Sequence, residues 1–171
     1  MNRRKIILIV VGALLVLISS YLSYKIWSTA KAKEYLNASI EYLPSMQFSK
    51  LDGSIIQIDS LRNNKELLVL NYFNPECDHC QTMVKEMFHE QALLESVTWL
   101  MITSHSKEGT KQFADSMSLS QLPNVTVLND TGSQFVEAFG TVSIPSFYVY
   151  KNGKLLRKHN GECSVAYLLK P

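Results

Sequence analysis

The sequence predicts an α/β fold in which a mixed β-sheet carries helices on both faces. Short runs of β-branched and aromatic residues alternate with helix-patterned stretches, which favours parallel strands joined by helices. One run, residues 67–73, is apolar almost throughout, as expected for a strand that is covered on both sides. The pair Asn152-Gly153 then predicts a β-hairpin near the C-terminus.

The N-terminal region predicts a membrane anchor. Residues 6–24 contain no charged side chain, and as a helix they would span about 28 Å, close to the thickness of a hydrocarbon core. Tyr21, Tyr24 and Trp27 follow near the far end, where aromatic side chains favour the interface. We therefore predict an anchor over residues 1–27 that contacts the lipid bilayer through residues 6–27. A cleaved signal peptide is the alternative, although its apolar region is normally only about 7–15 residues long.

The charge is divided unevenly along the chain. Residues 1–44 contain six Lys or Arg and two Glu, whereas residues 45–171 contain eleven Lys or Arg and thirteen Asp or Glu. The body therefore lacks the basic excess of a nucleic-acid-binding domain, and we predict no nucleic-acid partner. Arg3, Arg4 and Lys5 narrowly favour a cytoplasmic N-terminus. This orientation predicts a single-pass membrane protein whose body lies on the extracytoplasmic (periplasmic) side, where disulfides persist.

Two further regions follow the anchor. Residues 28–43 have helical spacing of apolar residues and predict a juxtamembrane spacer that Pro44 ends. Residues 44–171 predict one folded domain that begins with a hairpin, in which strands at 47–50 and 55–58 are joined across Asp52-Gly53. After residue 80, a core-facing helix is predicted from the spacing of apolar residues at Met83, Val84, Met87, Phe88 and Leu94. The remaining predicted elements are strands at 97–103, 125–128, 146–150 and 155–159 and helices at 107–117, 134–139 and 164–169.

Cys77-Asp78-His79-Cys80 is the strongest chemical signal, because it lies between the apolar strand and a predicted helix. Two thiols in the first turn of a helix can close and reopen a small disulfide ring, and the unpaired N–H groups there favour a thiolate. Cys77 and Cys80 are therefore the predicted catalytic pair. His79 would stabilise a Cys77 thiolate and make the pair more oxidising, while Asp78 would oppose this, so both are predicted to tune its redox behaviour.

Other uses of the cysteine pair fit the sequence less well than redox exchange. A structural zinc site needs four ligands, and Cys163, His89, His105 and His159 do not form a second pair at suitable spacing. An inert disulfide would close a very small loop and add little stability. We predict no metal and no cofactor. A copper- or zinc-handling module and a non-catalytic tethered binding domain stay as alternative functions.

Three sequence motifs together resemble the thioredoxin fold and, within it, the membrane-anchored, TlpA-like thiol–disulfide oxidoreductases of bacteria. They are the hairpin at 51–61, the strand and Cys77-x-x-Cys80 at 68–80, and Val142-Ser143-Ile144-Pro145 with the hairpin that follows. The resemblance covers residues 44–171. It implies a thioredoxin-like fold and a membrane-tethered enzyme that reduces disulfides of exported proteins, with a separate redox partner that resets the cysteine pair.

The resemblance also implies roles for individual residues. Ile144-Pro145 would be a cis peptide bond facing the cysteines, and Ile144 and Pro145 would bind an extended substrate segment. The chain departs from the family pattern at Glu76, where a Trp usually precedes the first cysteine, and at Asn71 and Met83, where family members often keep an acid. The usual proton acceptor for the second thiol is therefore missing; Glu76, Asp78 and water are the candidates.

Two further residues were considered near the predicted site. His105 follows the predicted strand at 97–103 and would reach the same sheet edge as Cys77 if the two strands are parallel, although a solvated loop residue is the simpler interpretation. Cys163 is the odd thiol, and we predict that it is buried as a small hydrophobic residue. Pairing with another chain is the alternative.

Overall fold

The computed structural model describes residues 3–170, with side chains for residue 3 and for residues 11–170. Arg4, Lys5 and the first five residues of the predicted bilayer-contacting segment, 6–10, therefore have side chains outside the described part. Met1, Asn2 and Pro171 lie outside it entirely. The chain divides into two compact units, Met1–Ala38 and Ser39–Pro171.

The first unit is a long helix, α1, at Arg3–Ser39. Its 29 residues Val11–Ser39 are long and apolar enough to cross a membrane, by length and composition alone, and none of the most apolar stretch is buried. The helix runs without a break through the predicted anchor and most of the spacer, so their division at residue 27 stays a prediction. It ends at Ser39, before Pro44, because Ile40 leaves the helix to become buried in the second unit.

The second unit is built on a seven-stranded sheet with strand order β2-β1-β5-β4-β3-β6-β7. Strands β3, β4 and β5 are parallel, whereas β1, β2 and β6 pair antiparallel to their neighbours and β7 pairs antiparallel to β6. The strands are β1 Gln47–Lys50, β2 Ile55–Gln57, β3 Leu67–Tyr72, β4 Val97–Thr103, β5 Val125–Asn129, β6 Ser146–Lys151 and β7 Lys154–Asn160. The helices of this unit are α2 Asp78–His89, α3 Lys107–Ser116, α4 Gln134–Phe139 and α5 Val165–Leu169.

Helices cover both faces of the sheet, which confirms the predicted α/β architecture. On one face, apolar residues of α2, α3 and α5 pack with alternate residues of the strands, such as Val69 and Trp99. On the other face, α4 packs Phe135 and Phe139 against the intervening strand residues, such as Leu70. This alternation explains why β3 is apolar at nearly every position, since each of its two sides faces a core.

Local sequence signals account for the element boundaries. Ser106 caps α3 by accepting a hydrogen bond from the backbone N–H of Gly109 (3.1 Å). Asp130 holds the first turn of α4, because its two carboxylate oxygens accept the N–H groups of Gln134 and Phe135 (2.9 Å each). The predicted turn between β6 and β7 is present, and Asn152 (φ 51°) and Gly153 (φ 72°) both adopt left-handed conformations there.

Two predicted boundaries were wrong. The strand predicted at 55–58 ends at Gln57, and Ile58 instead opens a 3₁₀-helix, Ile58–Leu61, whose geometry lets its side chain become fully buried. The helix after the cysteines ends at His89, so Leu94 does not belong to it. Leu94 lies on a separate 3₁₀-helix, Gln91–Ser96, and reaches the same core from there. Leu94 keeps its predicted burial on a different element.

The strand directions bring five loops to one edge of the sheet. The carboxyl ends of β3, β4 and β5 meet there because these strands are parallel. β6 begins at the same edge, since Ser146 pairs with Tyr72, and β7 ends there, since Asn160 pairs with Ser146. We call this edge the site edge. Ligands and reactive groups of open α/β sheets collect at such carboxyl ends.

Candidate active site

Cys77 lies at the site edge, where the loop after β3 meets α2. It is the N-cap residue of α2, with an extended backbone (φ −91°, ψ 115°). Its carbonyl accepts the N–H groups of Cys80 (2.9 Å) and Gln81 (3.1 Å), which starts the helix directly behind it. The side chain is partly exposed. Cys77 is therefore accessible to another molecule and stands at the positive end of the helix.

Cys80 lies in the first turn of α2 and is buried, with 1% of its surface exposed. Burial raises the pKa of the Cys80 thiol to about 12, against a hydrogen bond with the Asn74 backbone that lowers it. A hydrogen bond that the Cys80 thiol donates to Cys77 and the charges of Cys77 and Glu162 also raise this pKa. All three cysteines are thiols. The pair is thus asymmetric: Cys77 can be reached from solvent, whereas Cys80 is held protonated behind it and in contact with it.

Asp78 and His79, the predicted redox-tuning residues, are both exposed between the two cysteines. The ring Nδ1 of His79 contacts the carboxylate Oε1 of Glu162, on the loop between β7 and α5. Asp78 opens α2, where its carboxylate suits the positive end of the helix. The tuning roles of His79 and Asp78 stay predictions.

The Ile144–Pro145 peptide bond is cis, as the resemblance implied. Pro145 is buried and its carbonyl accepts the N–H of Gly161 (2.8 Å), while Ile144 keeps 37% of its surface exposed. A cavity of about 190 Å³ connects this loop to the active-site loop, since Ile144 and Asn74 both line it. The substrate-binding roles of Ile144 and Pro145 stay predictions. The position of their loop beside the active-site loop is compatible with these roles.

His105 also reaches the site edge, because β4 is parallel to β3. It is partly buried and lines the cavity that contains Ile144, and its carbonyl accepts a hydrogen bond from the Asn129 side chain (2.6 Å). It also lines a second cavity of about 310 Å³ with Pro75 and Glu76. His105 is thus a partly buried wall of two cavities and not simply a solvated loop residue.

Cys163 is partly buried against the core under α2. Its backbone N–H approaches the sulfur of Met83 at 3.4 Å. Burial raises the pKa of the Cys163 thiol to about 11; the positive charge of Arg157 lowers it and the negative charge of Glu86 raises it. The side chain packs as a small hydrophobic group, as predicted, although it is not fully enclosed.

Glu162 is the site residue that sequence reasoning missed. It lies 83 residues from His79 along the chain, and no local motif marks it. The strand order could have indicated its position, because β7 ends at the sheet edge where β6 begins, and β6 begins beside the loop that carries Cys77. Within residues 3–170, leaving out side chains 4–10, no three His, Cys, Asp or Glu residues are grouped so that they could hold a metal ion.

No family model matches the chain, and no curated protein matches it significantly. Solved structures do resemble it. MTB dsbF, determined in mixed oxidized and reduced forms, is 20% identical with a TM-score of 0.62 and covers 77% of this chain and 92% of its own. A secreted Mycobacterium tuberculosis disulfide oxidoreductase homologous to E. coli DsbE is 19% identical with a TM-score of 0.59, covering 74% and 88%. StoA from Bacillus subtilis is 13% identical with a TM-score of 0.58, covering 75% and 96%.

These similarities establish the thioredoxin-like fold of the second unit. Of these three, the secreted Mycobacterium tuberculosis protein is named as a disulfide oxidoreductase, and its likeness covers 74% of this chain. At such low identity the fold is shared and the chemistry must be argued from the residues of this chain.

Proposed function

We propose that the protein is a membrane-tethered thiol–disulfide oxidoreductase that reduces disulfides of exported proteins through Cys77 and Cys80. The observation that carries the proposal is the asymmetric pair on one helix turn: an accessible thiol at the N-cap and a buried, protonated thiol in contact with it. This is the arrangement that two-step disulfide exchange needs. The named activities of the structural neighbours support the same chemistry.

The exchange would run in two steps. Cys77 attacks a substrate disulfide as a thiolate and forms a mixed disulfide, and one substrate sulfur leaves. Cys80 then displaces the second substrate sulfur from Cys77, so the substrate leaves reduced and the Cys77–Cys80 disulfide forms. A redox partner must afterwards return two electrons and two protons to the pair.

The tether and its side of the membrane are further parts of the proposal. The apolar helix at Val11–Ser39 supports a single-pass anchor. The distribution of Lys and Arg around residues 6–24 supports a cytoplasmic N-terminus and a periplasmic second unit. Exported proteins are the proposed substrate class, because stable disulfides persist outside the cytoplasm, on the side of the membrane where the cysteine pair would lie.

A trapping experiment tests the chemistry. We expect Cys80→Ala, which can attack but cannot resolve, to accumulate mixed disulfides with exported proteins on non-reducing gels. The matched control, Cys77→Ala/Cys80→Ala, should trap none, because Cys163 is partly buried and held protonated. If both variants trapped mixed disulfides equally, at the background level, the proposal would be wrong and a non-catalytic binding domain would be favoured.

The direction of electron flow is tested by the reduction potential of the Cys77–Cys80 pair. A value near that of thioredoxin, about −270 mV, would support reduction of substrates. A value near that of a strong periplasmic oxidant, about −120 mV, would reverse the direction while leaving the exchange chemistry intact.

A further inference from the structure

The resolving step of the proposed function requires a proton acceptor. Cys80 must lose its proton before it can displace a substrate from Cys77, and its thiol is buried and strongly protonated. The neighbouring core positions offer no base, because Asn71 on β3 and Met83 on α2 carry no ionisable group. Among the candidates between and before the thiols, Glu76 and Asp78 are both exposed to solvent. A carboxylate from another element is a further candidate.

The loop after β7 brings a carboxylate to this place. Gly161 is tied to the proline loop by its hydrogen bond to the Pro145 carbonyl (2.8 Å), and Cys163 is tied to α2 through the sulfur of Met83 (3.4 Å). Glu162 lies between these two attachments. Its own carbonyl is 3.3 Å from Nε2 of His159 on β7. The backbone of Glu162 is thus held from three sides at the site edge.

The side chain of Glu162 is held as well. Its carboxylate contacts Nδ1 of His79, and 42% of its surface remains exposed, against 71% for His79. A carboxylate at Nδ1 favours the imidazole tautomer with its proton on that nitrogen. The negative charge of Glu162 also acts on the Cys80 thiol. Glu162 therefore lies against the first turn of α2, because its carboxylate contacts His79, the residue before Cys80, and the next residue of its loop contacts Met83, one turn after Cys80.

We propose that Glu162 is the proton acceptor for Cys80 in the resolving step and that His79 is the positioning residue that holds its carboxylate. This inference rests on the proposed function, whose mechanism it completes. In this proposal the proton passes from Cys80 to Glu162 by way of one water, a separation across which general bases commonly act.

The step balances as follows. The Cys80 S–H bond breaks, and its proton passes through the water to the Glu162 carboxylate. The Cys80 thiolate attacks the sulfur of Cys77, the bond between Cys77 and the substrate breaks, and the Cys77–Cys80 disulfide forms. The substrate leaves as a thiolate that takes up a proton from Glu162 or solvent. Two electrons pass from the dithiol to the substrate disulfide, which is the oxidant.

The charged groups around Glu162 come from three elements. His79 and Asp78 belong to the first turn of α2, and Glu86 lines the cavity beside Glu162 from the same helix. His159 belongs to β7. Cys163, on the loop itself, also lines that cavity of about 220 Å³. A variant at Glu86 distinguishes the effect of Glu162 from that of the other carboxylate of this cavity.

The test uses the reduced full-length protein and one equivalent of an aromatic disulfide, Ellman's reagent, with rapid mixing. The first coloured thiolate reports attack by Cys77, and the second reports resolution by Cys80. We expect Glu162→Gln to leave the first phase within about threefold of wild type and to slow the second about 100-fold, the usual size of a general-base effect. Glu162→Asp, which keeps a carboxylate, should recover part of the second rate.

The pH profile provides a readout that a purely structural role would not change. In wild type, the second phase should slow toward acid pH. In Glu162→Gln this acid dependence should be replaced by a rate that rises steadily with hydroxide. Glu86→Gln is the matched control, since it neutralises a carboxylate of the same cavity that acts on Cys163, and it should behave as wild type.

Three outcomes would overturn the inference: a second phase in Glu162→Gln within threefold of wild type, equal slowing of both phases, or an unchanged pH profile. Failure of the proposed function is a different result, because wild type itself would then show no first phase above the Cys77→Ala level. His79→Gln should slow the second phase less than Glu162→Gln does. The double variant should be no slower than Glu162→Gln, because His79 acts only through the carboxylate.

Discussion

The two thiols of Cys77 and Cys80 differ because α2 begins between them. Cys77 precedes the helix and keeps part of its surface in solvent, whereas Cys80 points from the first turn into the core with Met83 and Val84. Withdrawal from water disfavours the charged form of Cys80, so its pKa rises. One helix start thus creates an accessible thiol and a buried thiol from chemically identical residues.

This difference predicts the pattern of alkylation. In native, reduced protein at pH 8, iodoacetamide should modify Cys77 first, because it is exposed and because a thiol whose pKa is about 12 is about one part in ten thousand thiolate. Labelling of Cys80 should rise about tenfold per pH unit toward its raised pKa. Mass spectrometry of digested samples measures each site.

The denatured protein is the control for the alkylation experiment, since burial no longer separates the thiols there. All three cysteines should then react at similar rates. Native labelling of Cys80 as fast as that of Cys77 would show that the second thiol is not withdrawn from water and would contradict the assignment of roles.

At the residue scale, the sequence predicts a reactive group when its chemistry lies in one local motif. The Cys77-x-x-Cys80 spacing and its place after an apolar strand were sufficient to find the pair. Glu162 could not be found in this way, because its nearness to His79 depends on the pairing of β6 with β7 across a turn. Its carboxylate becomes part of the site only through tertiary structure.

At the scale of elements, the β6–β7 hairpin connects the outer sheet to the site edge. Its turn holds Gly153 in a left-handed conformation (φ 72°), and a Cβ there would lie 2.5 Å from Cγ and 3.0 Å from the carbonyl oxygen of Arg62. Arg62 in turn donates a hydrogen bond to the Leu43 carbonyl (2.8 Å). The turn is therefore packed against the chain that enters the domain.

Gly153→Ala is predicted to destabilise the protein by both conformational strain and this contact. Gly161→Ala is the matched control, because Gly161 is also left-handed (φ 89°) but no atom lies within 4 Å of the added Cβ. We expect about 1 kcal/mol for Gly161→Ala from strain alone and at least about 2 kcal/mol for Gly153→Ala. Urea unfolding measures both. Equal losses of unfolding free energy in the two variants would show that Arg62 can move away from the added methyl group without destabilising the protein.

Turn chemistry explains why some elements were predicted well and others were not. Asp52-Gly53 and Asn152-Gly153 define their hairpins locally, and Gly140 stops α4 as expected. The 3₁₀-helices that contain Ile58 and Leu94 were not predicted. The spacing of apolar residues indicates which side chains are buried, but the same side chain can be buried by more than one backbone conformation. Sequence pattern therefore located Leu94 in the core correctly and misjudged the elements that carry Ile58 and Leu94.

At the scale of the whole molecule, the boundary between the two units falls at Ser39. Ile40 and Leu43 are each only 1% exposed, and the Ile40 carbonyl accepts the hydroxyl of the buried Tyr150 (2.9 Å). The residues just after α1 thus belong to the core of the thioredoxin-like unit, although their sequence reads as part of a spacer.

Two truncations are predicted to separate anchoring from folding. A protein that begins at Ser39 should leave the membrane fraction and keep the unfolding free energy of the second unit. One that begins at Ser45 loses Ile40 and Leu43 and should be several kcal/mol less stable, because each buried aliphatic side chain contributes about 2–5 kcal/mol. Fractionation and urea unfolding measure the two effects. Equal stability of both truncations would contradict the role given to residues 39–44.

β7 is an edge strand of the sheet, and this position bears on how the protein behaves at high concentration. Its residues alternate between exposed and partly covered, and it carries Lys154, Arg157 and Lys158. The side chain of Arg157 bends over the ring of Tyr167 and reaches that residue's carbonyl. At one end of β7, Tyr42 already pairs with Lys154, whose ammonium contacts the Glu41 carboxylate (3.7 Å). Farther along, a neighbouring copy that tried to extend the sheet would meet Arg157 and Lys158. Such like-charged margins discourage the strand-to-strand stacking that leads to aggregates.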